Sequence, residues 1–301
     1  MKSVSVVIPT YRREQVLLDT LDYLIGLDTP PAEILVVDQT EKHDPATVSS
    51  LTAREAQGQI RWITRTVPSI PQAMNCGLLA ASNEIVLFLD DDIRPENGLI
   101  EHHASAHATH SDVVVAGRVI QPWEEGKVPD TTAAFHFAST REAWVSEFMG
   151  GNFSVQRKRA VGLGGFDENF VRVAFRFEAE FAHRALTQGM RIIFEPRACI
   201  HHLKVSAGGT RTYGEHLTTL RPDHAVGAYY YVLRIWRGWQ SVTDFFARPL
   251  RSVMTKHHLH RPWFVPVTLI AELRAMLWAL ALFLRGARHI DAASVDVIRD
   301  A

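Results

Sequence analysis

The sequence predicts an α/β protein, a Rossmann-like, mostly parallel central sheet flanked by helices, with a helical appendage at the C-terminal end. Three observations lead there. Over the first 120 residues or so, short apolar runs rich in β-branched residues alternate with stretches of helical spacing. The runs are apolar throughout instead of alternating with polar residues, as strands buried on both faces require. From about residue 225 the composition shifts to aromatics interspersed with arginines.

The first strand is residues 4–8, stopping at Pro9-Thr10. Val16, Leu17, Leu21 and Leu24 place a helix over 14–24, which Pro30-Pro31 closes off. A second strand, 34–37, ends at Asp38, and a third follows at 60–64. Residues 71–81 read as a helix and 85–89 as a strand ending at Asp90-Asp91-Asp92. Right-handed crossovers between such strands build a parallel, doubly wound sheet. A helix at 99–110 and a strand at 113–119 come next. The segment 121–147, with Pro122, Pro129 and several aromatics, has no period and reads as an insertion. Strand-like pattern resumes over 148–156 around Gly150-Gly151, then a helix at 178–188 and a strand at 192–195. His201 to Arg211 reads as a loop containing the pair Gly208-Gly209.

Bulk properties exclude several classes. A net charge of -1 with no basic run argues against nucleic acid as a partner. Cys76 and Cys199 are isolated, which suits buried thiols in a reducing compartment and neither a disulfide framework nor a zinc site. The first apolar run is too short for a signal peptide and contains Pro9, so the expectation is a cytoplasmic protein. In the tail, Trp236, Trp239, Trp263 and Trp278 beside arginines suit a membrane surface, such as the inner face of the cytoplasmic membrane, and equally suit packing on the main domain or a homodimer. A true span is not expected, since 275–284 is half the roughly 20 residues required and Glu272 and Arg274 interrupt anything longer.

In a doubly wound sheet, ligands bind beyond the carboxyl ends of the strands. Three polar features sit there: Pro9-Thr10-Tyr11-Arg12, Asp38, and Asp90, Asp91 and Asp92. In an extended segment Asp90 and Asp92 point the same way and can share one hard divalent cation, Mg²⁺ or Mn²⁺, while a solvated acidic turn or a helix cap is the plainer reading of the triplet. Glu178 and Glu180, near a helix start, are two residues apart and cannot share a helix face, so one of them can enter a site while the other faces solvent or complements the helix dipole. His201 and His202 follow a strand and can complete a metal shell or contact phosphate.

Taken in order, these segments resemble glycosyltransferase family 2, whose domain has the GT-A fold. Residues 4–13 (VSVVIPTYRR) look like its first strand and nucleotide loop, 33–38 (EILVVD) like its second strand, and 84–92 (EIVLFLDDD) like its metal-binding DxD strand. The stretches 73–77, 164–168 and 194–202 resemble further landmarks, and the likeness runs over about residues 3 to 211. The resemblance implies a GT-A glycosyltransferase domain over 1–222, with a nucleotide-binding half to about 120 and an acceptor half beyond, and a separate tail over 223–301. It implies inverting transfer from a nucleotide-diphosphate sugar, UDP- or dTDP-linked by preference, to a glycan or lipid-linked glycan. By the same resemblance Pro9, Thr10, Tyr11, Arg12, Asp38, Asn75, Asp90, Asp91 and Arg211 hold the nucleotide sugar. Asp90, Asp92 and His202 hold the metal, and Gly150, Gly151 and Asn152 line the acceptor pocket. Glu178 is the base, aligned on the second position of a motif that in the family reads Glu-Asp and here reads Phe177-Glu178. Met74 replaces an arginine the family usually has before Asn75. Phe177 leaves open a catalytically silent binding protein of the same fold. A sugar-1-phosphate nucleotidyltransferase would carry its Gly-rich loop just after the first strand, whereas Gly208-Gly209-Thr210-Arg211 lies far down the chain.

Overall fold

The computed structural model describes residues 2–127 and 134–291. Met1, residues 128–133 of the irregular segment (with Pro129) and residues 292–301 of the tail lie outside the described residues.

The chain opens β1 (Val4–Thr10), α1 (Gln15–Ile25), β2 (Glu33–Asp38), α2 (Pro45–Ala56), β3 (Arg61–Thr64), α3 (Ile70–Ala80) and β4 (Ile85–Leu89). These strands lie in the order β3-β2-β1-β4, all parallel, as the alternation predicts. There follow β5 (Ile93–Pro95), α4 (Leu99–Thr109), β6 (Val113–Ile120), β7 (Ala143–Val145), β8 (Asn152–Gln156), α5 (Arg157–Gly162), α6 (Phe177–Thr187) and β9 (Arg191–His202). The nine-stranded sheet continues β4-β8-β6-β9-β5, with β7 also on β9. The parallel run stops at β4, because β8 runs antiparallel to both β4 and β6 and the rest of the sheet is mixed. A glycine-led loop feeds β8 into the sheet without a crossover helix, so nothing forces it parallel. His201 and His202 are the last residues of β9 rather than part of a loop.

Each strand divides its side chains between two apolar layers, as the two-residue period demands. Val7, Leu35, Val37, Val86 and Phe88 face one layer. Val6, Ile8, Val36, Leu87 and Leu89 face the other, where Leu17, Leu21 and Leu24 of α1 pack on them. The first layer is built on aromatics, with Phe88 stacked on Phe153 at 5.0 Å between ring centres and edge-on to Phe166 at 5.3 Å. Two buried histidines share a hydroxyl: His103 bonds Ser154 Oγ at 2.8 Å and Asn152 Oδ1 at 2.9 Å, and His107 Nε2 bonds the same Ser154 at 2.9 Å. Burial drops the pKa of His103 to about 4 and that of His107 to about 3, so both are neutral parts of the core.

The tail folds as α7 (Val226–Arg234), α8 (Trp239–Val253), α9 (Lys256–His260) and α10 (Val265–Leu284). It shares one continuous core with the α/β part, to which Tyr229, Tyr230, Phe245, Ala275, Ala279 and Leu282 all contribute. Tyr230 donates to Asp167 at 2.7 Å and Tyr229 to Glu272 at 2.5 Å. Glu272 and Arg274, the two charges within the apolar stretch of α10, are both engaged by the protein. Glu272 turns inward to Tyr229 and Arg248, and Arg274 reaches back to the Leu220 carbonyl at 2.9 Å. The stretch Pro262–Leu284 is therefore one helix, long and apolar enough by itself to cross a membrane, with a mean hydropathy of 1.9 and 33% of its most apolar window buried on the protein.

Candidate active site

The apolar strand β4 delivers three carboxylates into one corner and its pleat divides them. Asp91 turns inward, where its Oδ2 accepts the Thr10 hydroxyl at 2.7 Å and its Oδ1 lies 3.2 Å from Arg13 Nε. Burial pushes the Asp91 pKa up to about 7 against the opposing Arg13 charge and the Thr10 hydrogen bond. Asp90 and Asp92 turn together toward His202, with Asp92 Oδ1 at 3.2 Å and Asp90 Oδ2 at 3.8 Å from its Nε2. The second Asp92 oxygen accepts from Val205 N at 3.0 Å and Arg13 Nη2 at 3.3 Å, which leaves Oδ1 facing the histidine.

Antiparallel pairing of β5 with β9 sets Ile93 opposite His202 and so carries the histidine to this corner. His202 Nδ1 meets Gln121 Oε1 at 3.2 Å, which points Nε2 at the two carboxylates. Burial acts to lower the His202 pKa, but the Asp92 hydrogen bond and the charges of Asp90 and Asp92 outweigh it and the net change is upward. One ligand atom each from Asp90, Asp92 and His202 lie within 4.8 Å of one another. Two carboxylates and one oriented imidazole are a donor set that fits Mg²⁺ or Mn²⁺. His201, one residue earlier, points away and sits between Glu96 and Glu125 at 2.9 and 3.1 Å.

The corner opens into a cleft lined by Pro9, Thr10, Tyr11, Asp90, Asp91, His202 and Arg211, all expected there. Arg13, Gln39, Ser69, Arg172 and Tyr213, which sequence reasoning missed, line it as well. Arg211 arrives on a short 3-10 turn, Gly209–Tyr213, anchored by a Gly209 N–H to Tyr11 carbonyl bond of 2.8 Å. Gly208, at φ 77°, passes so close to the Arg12 carbonyl that a Cβ would collide with it. The distant Gly-Gly-Thr-Arg stretch is thereby folded against the first strand after all.

Four expectations are corrected. Arg12 is not in the cleft: its φ of 54° turns the side chain outward to Glu41 at 3.2 Å and over the Tyr11 ring at 5.1 Å, and Arg13 takes the inward position. Asp38 is buried and committed to the Trp62 indole at 2.9 Å, His43 at 2.6 Å and the Thr40 N–H at 2.9 Å, while its neighbour Gln39 reaches the cleft. Asn75 holds the turn after α5, accepting from Phe166 N at 2.8 Å and donating to Phe166 O at 2.9 Å. Asn152 faces the interior, where its amide donates to the Arg118 and Ala198 carbonyls at 3.0 and 2.9 Å. Short polar side chains that are buried are consumed by neighbouring backbone and side-chain groups, which a motif match does not reveal.

Gly150 and Gly151 do border the corner. A Cβ on Gly151 would strike the Asp90 carboxylate, and one on Gly150 would touch the Phe177 ring at 3.2 Å, so this pair spans from Asp90 to the start of α6. Glu178 follows Phe177 and is half-buried. Burial pushes its pKa up to about 7; its own backbone N–H and Arg176 oppose this, and the charges of Glu147 and Asp90 add to it. Glu180 is already engaged, its two oxygens held by Arg184 at 2.8 and 2.9 Å. Of the two glutamates, only Glu178 is left to act at the corner.

The glycosyl transferase family 2 model matches residues 5–178, more than half of the chain. The chain belongs to glycosyl transferase family 2. No curated protein matches it in sequence. Among solved structures it is similar to GalNAc-T7 with UDP, GalNAc and Mn²⁺ (TM-score 0.62, 16% identity, 89% of this chain and 54% of that one). It is also similar to the mannosyltransferase PcManGT from Pyrobaculum calidifontis with GDP-Man and Mn²⁺ (0.57, 20%, 95% and 79%). A third is S. aureus TarS 1–349 with UDP-GlcNAc (0.59, 16%, 93% and 88%). The chain thus spans about half of GalNAc-T7, and these likenesses establish a GT-A fold.

Arg13→Gln leaves Asp91 and Asp92 buried without their cation. The expected loss is about 3–5 kcal/mol in urea unfolding, while Arg12→Gln leaves the midpoint where it was. Equal midpoints for the two variants would remove Arg13 from this role.

Proposed function

We propose that the chain is an inverting glycosyltransferase, moving a sugar from a nucleotide-diphosphate sugar, UDP- or dTDP-linked by preference, to a hydroxyl on a glycan or lipid-linked acceptor. The observation that carries this reading is the meeting of two unlike carboxylate settings at one glycine bridge. On one side Asp90, Asp92 and His202 bring together ligand atoms that could hold a divalent cation, and on the other burial pushes the Glu178 pKa up to about 7. The nucleotides and Mn²⁺ held by the similar structures support the donor class.

The donor lies in the cleft against Pro9, Thr10, Tyr11 and Gln39, with Arg211 and Arg172 at the diphosphate. Asp90, Asp92 and His202 would hold the cation, which would supply positive charge against the diphosphate leaving group. Arg13 keeps Asp92 aimed by occupying its other oxygen. Glu178 accepts the proton of the acceptor hydroxyl, whose oxygen attacks the anomeric carbon from the face opposite the diphosphate and inverts it.

The tail rests on an anionic membrane surface. Trp239, Phe246 and Leu250 recur at helical spacing on α8 and are 77%, 65% and 64% exposed. Ile270, Leu273, Leu277 and Leu284 make a second exposed stripe along α10. Between residues 234 and 288 nine Arg or Lys side chains stand against Asp244 and Glu272 alone, which favours anionic lipid over a second copy that would set like charge against like.

Three measurements test these roles. Transfer rate rises with pH through about 7 as Glu178 loses its proton, then levels off; Glu178→Gln loses about 10²–10⁴-fold while Mn²⁺-dependent nucleotide binding is kept. Near-normal turnover by Glu178→Gln would exclude it as the base. Asp90→Ala abolishes the Mn²⁺-dependent part of UDP binding by calorimetry, and an unchanged isotherm counts against the cation site. Phe246→Glu with Leu250→Glu ends co-sedimentation with phosphatidylserine vesicles; persistent sedimentation would rule out these stripes as the contact.

A further inference from the structure

A second cavity, of about 540 Å³, lies between the start of α6, α7 and α8, and no residue lining it also lines the donor cleft. Its walls carry Arg176, Arg237, Arg248 and Arg251, with Asp244 as the one carboxylate among the described lining residues. Asp244 is shared, 3.0 Å from Arg251 and 3.9 Å from Arg237. Arg248 Nε is buried and makes no hydrogen bond, with Glu272 outside the cavity as its ion partner at 3.3 Å. Arg176 pairs with Glu147 at 3.2 Å, also outside, and lies over the Tyr231 ring at 5.7 Å.

Four guanidiniums face the cavity with a single carboxylate among them, and a phosphate, with three acceptor oxygens, suits several planar forks at once. The position matters as much as the charge. Arg176 stands two residues before Glu178, and its charge acts on that carboxylate. The cavity wall at Arg176 thus comes within two residues of the proposed base, and the cavity shares no lining residue with the donor cleft.

We propose that this cavity receives the phosphate group of the acceptor, so that the acceptor is a phosphate-bearing compound whose hydroxyl is presented to Glu178. The inference rests on the glycosyltransferase reading above and names the substrate class of its second site. Helix α8 favours a lipid as the source of the phosphate. It turns Asp244, Arg248, Arg251 and Ser252 into the cavity and Trp239, Phe246 and Leu250 outward, which sets the arginines at the depth of a headgroup when the stripe meets lipid.

The test uses the whole chain and inorganic pyrophosphate as the probe, by calorimetry without divalent metal. Arg237→Gln combined with Arg251→Gln is expected to weaken binding about tenfold or more. Asp244→Asn, which releases both arginines from their acid, is expected to tighten it, a direction that mere damage to the fold would not produce. Pyrophosphate binding that is the same in the double variant and the wild type overturns the proposal, as does a lack of binding in the wild type at millimolar probe. UDP binding with Mn²⁺ is measured on the same samples. It stays constant if the two sites are distinct, and its absence from the wild type, with the cavity still binding, would fault the donor reading and not this one. Vesicles identify the source of the phosphate. A preference for phosphatidic acid over phosphatidylserine that the double variant loses makes it a lipid headgroup, and arginine-dependent pyrophosphate binding without that preference makes it a soluble phosphate ester.

Discussion

The site depends on one buried cation. Arg13 lies between Asp91 and Asp92, donates to the carbonyls of Val205 and Ala207, and is almost wholly enclosed. Three consecutive carboxylates at the end of an apolar strand repel one another and resist burial. Arg13 offsets that repulsion from behind, so the remaining charge of Asp90 and Asp92 points toward His202 and the cleft. The same guanidinium holds the loop that returns after β9, and that loop carries Arg211. Cation cluster, cleft wall and Arg211 are thus positioned together by a side chain that need not touch substrate.

A second constraint is the closeness of backbone around Gly150 and Gly151. Since no Cβ intervenes, Asp90 and Phe177 approach from opposite sides of the pair, which places Glu178 within reach of Asp90's charge. Phe177 fills apolar space with Phe166 at 5.8 Å, and Glu178, next in the chain, has a pKa pushed up by burial.

The tail is joined to this centre through buried polar contacts and not merely attached to it. Tyr230 reaches Asp167, and Tyr229 with Arg248 encloses Glu272. Arg248 also walls the arginine-lined cavity, so α8, which presents an apolar stripe outward, contributes positive charge to that cavity on its other face.

The parallel strands through β4, the helices α1 and α3 and the Asp90–Asp92 corner were legible in the sequence, because apolar runs and two-residue alternation are local properties; α2 was not read. The choice of His202 over His201 beside Asp90 and Asp92 came from the family resemblance and not from local pattern. Which arginine turns inward could not be read, since a positive φ at Arg12 reverses the alternation at that point. Nor could the fates of Asp38, Asn75 and Asn152, whose short polar side chains were taken by buried N–H groups, carbonyls and rings distant in the chain. The antiparallel entry of β8 and the gathering of four arginines on one cavity were likewise decided by tertiary packing, whereas the Glu180–Arg184 pair is a local i,i+4 contact that helical spacing itself offers. Local pattern determines which segments are buried; only the folded chain determines which buried polar group finds a partner and which is left free to act.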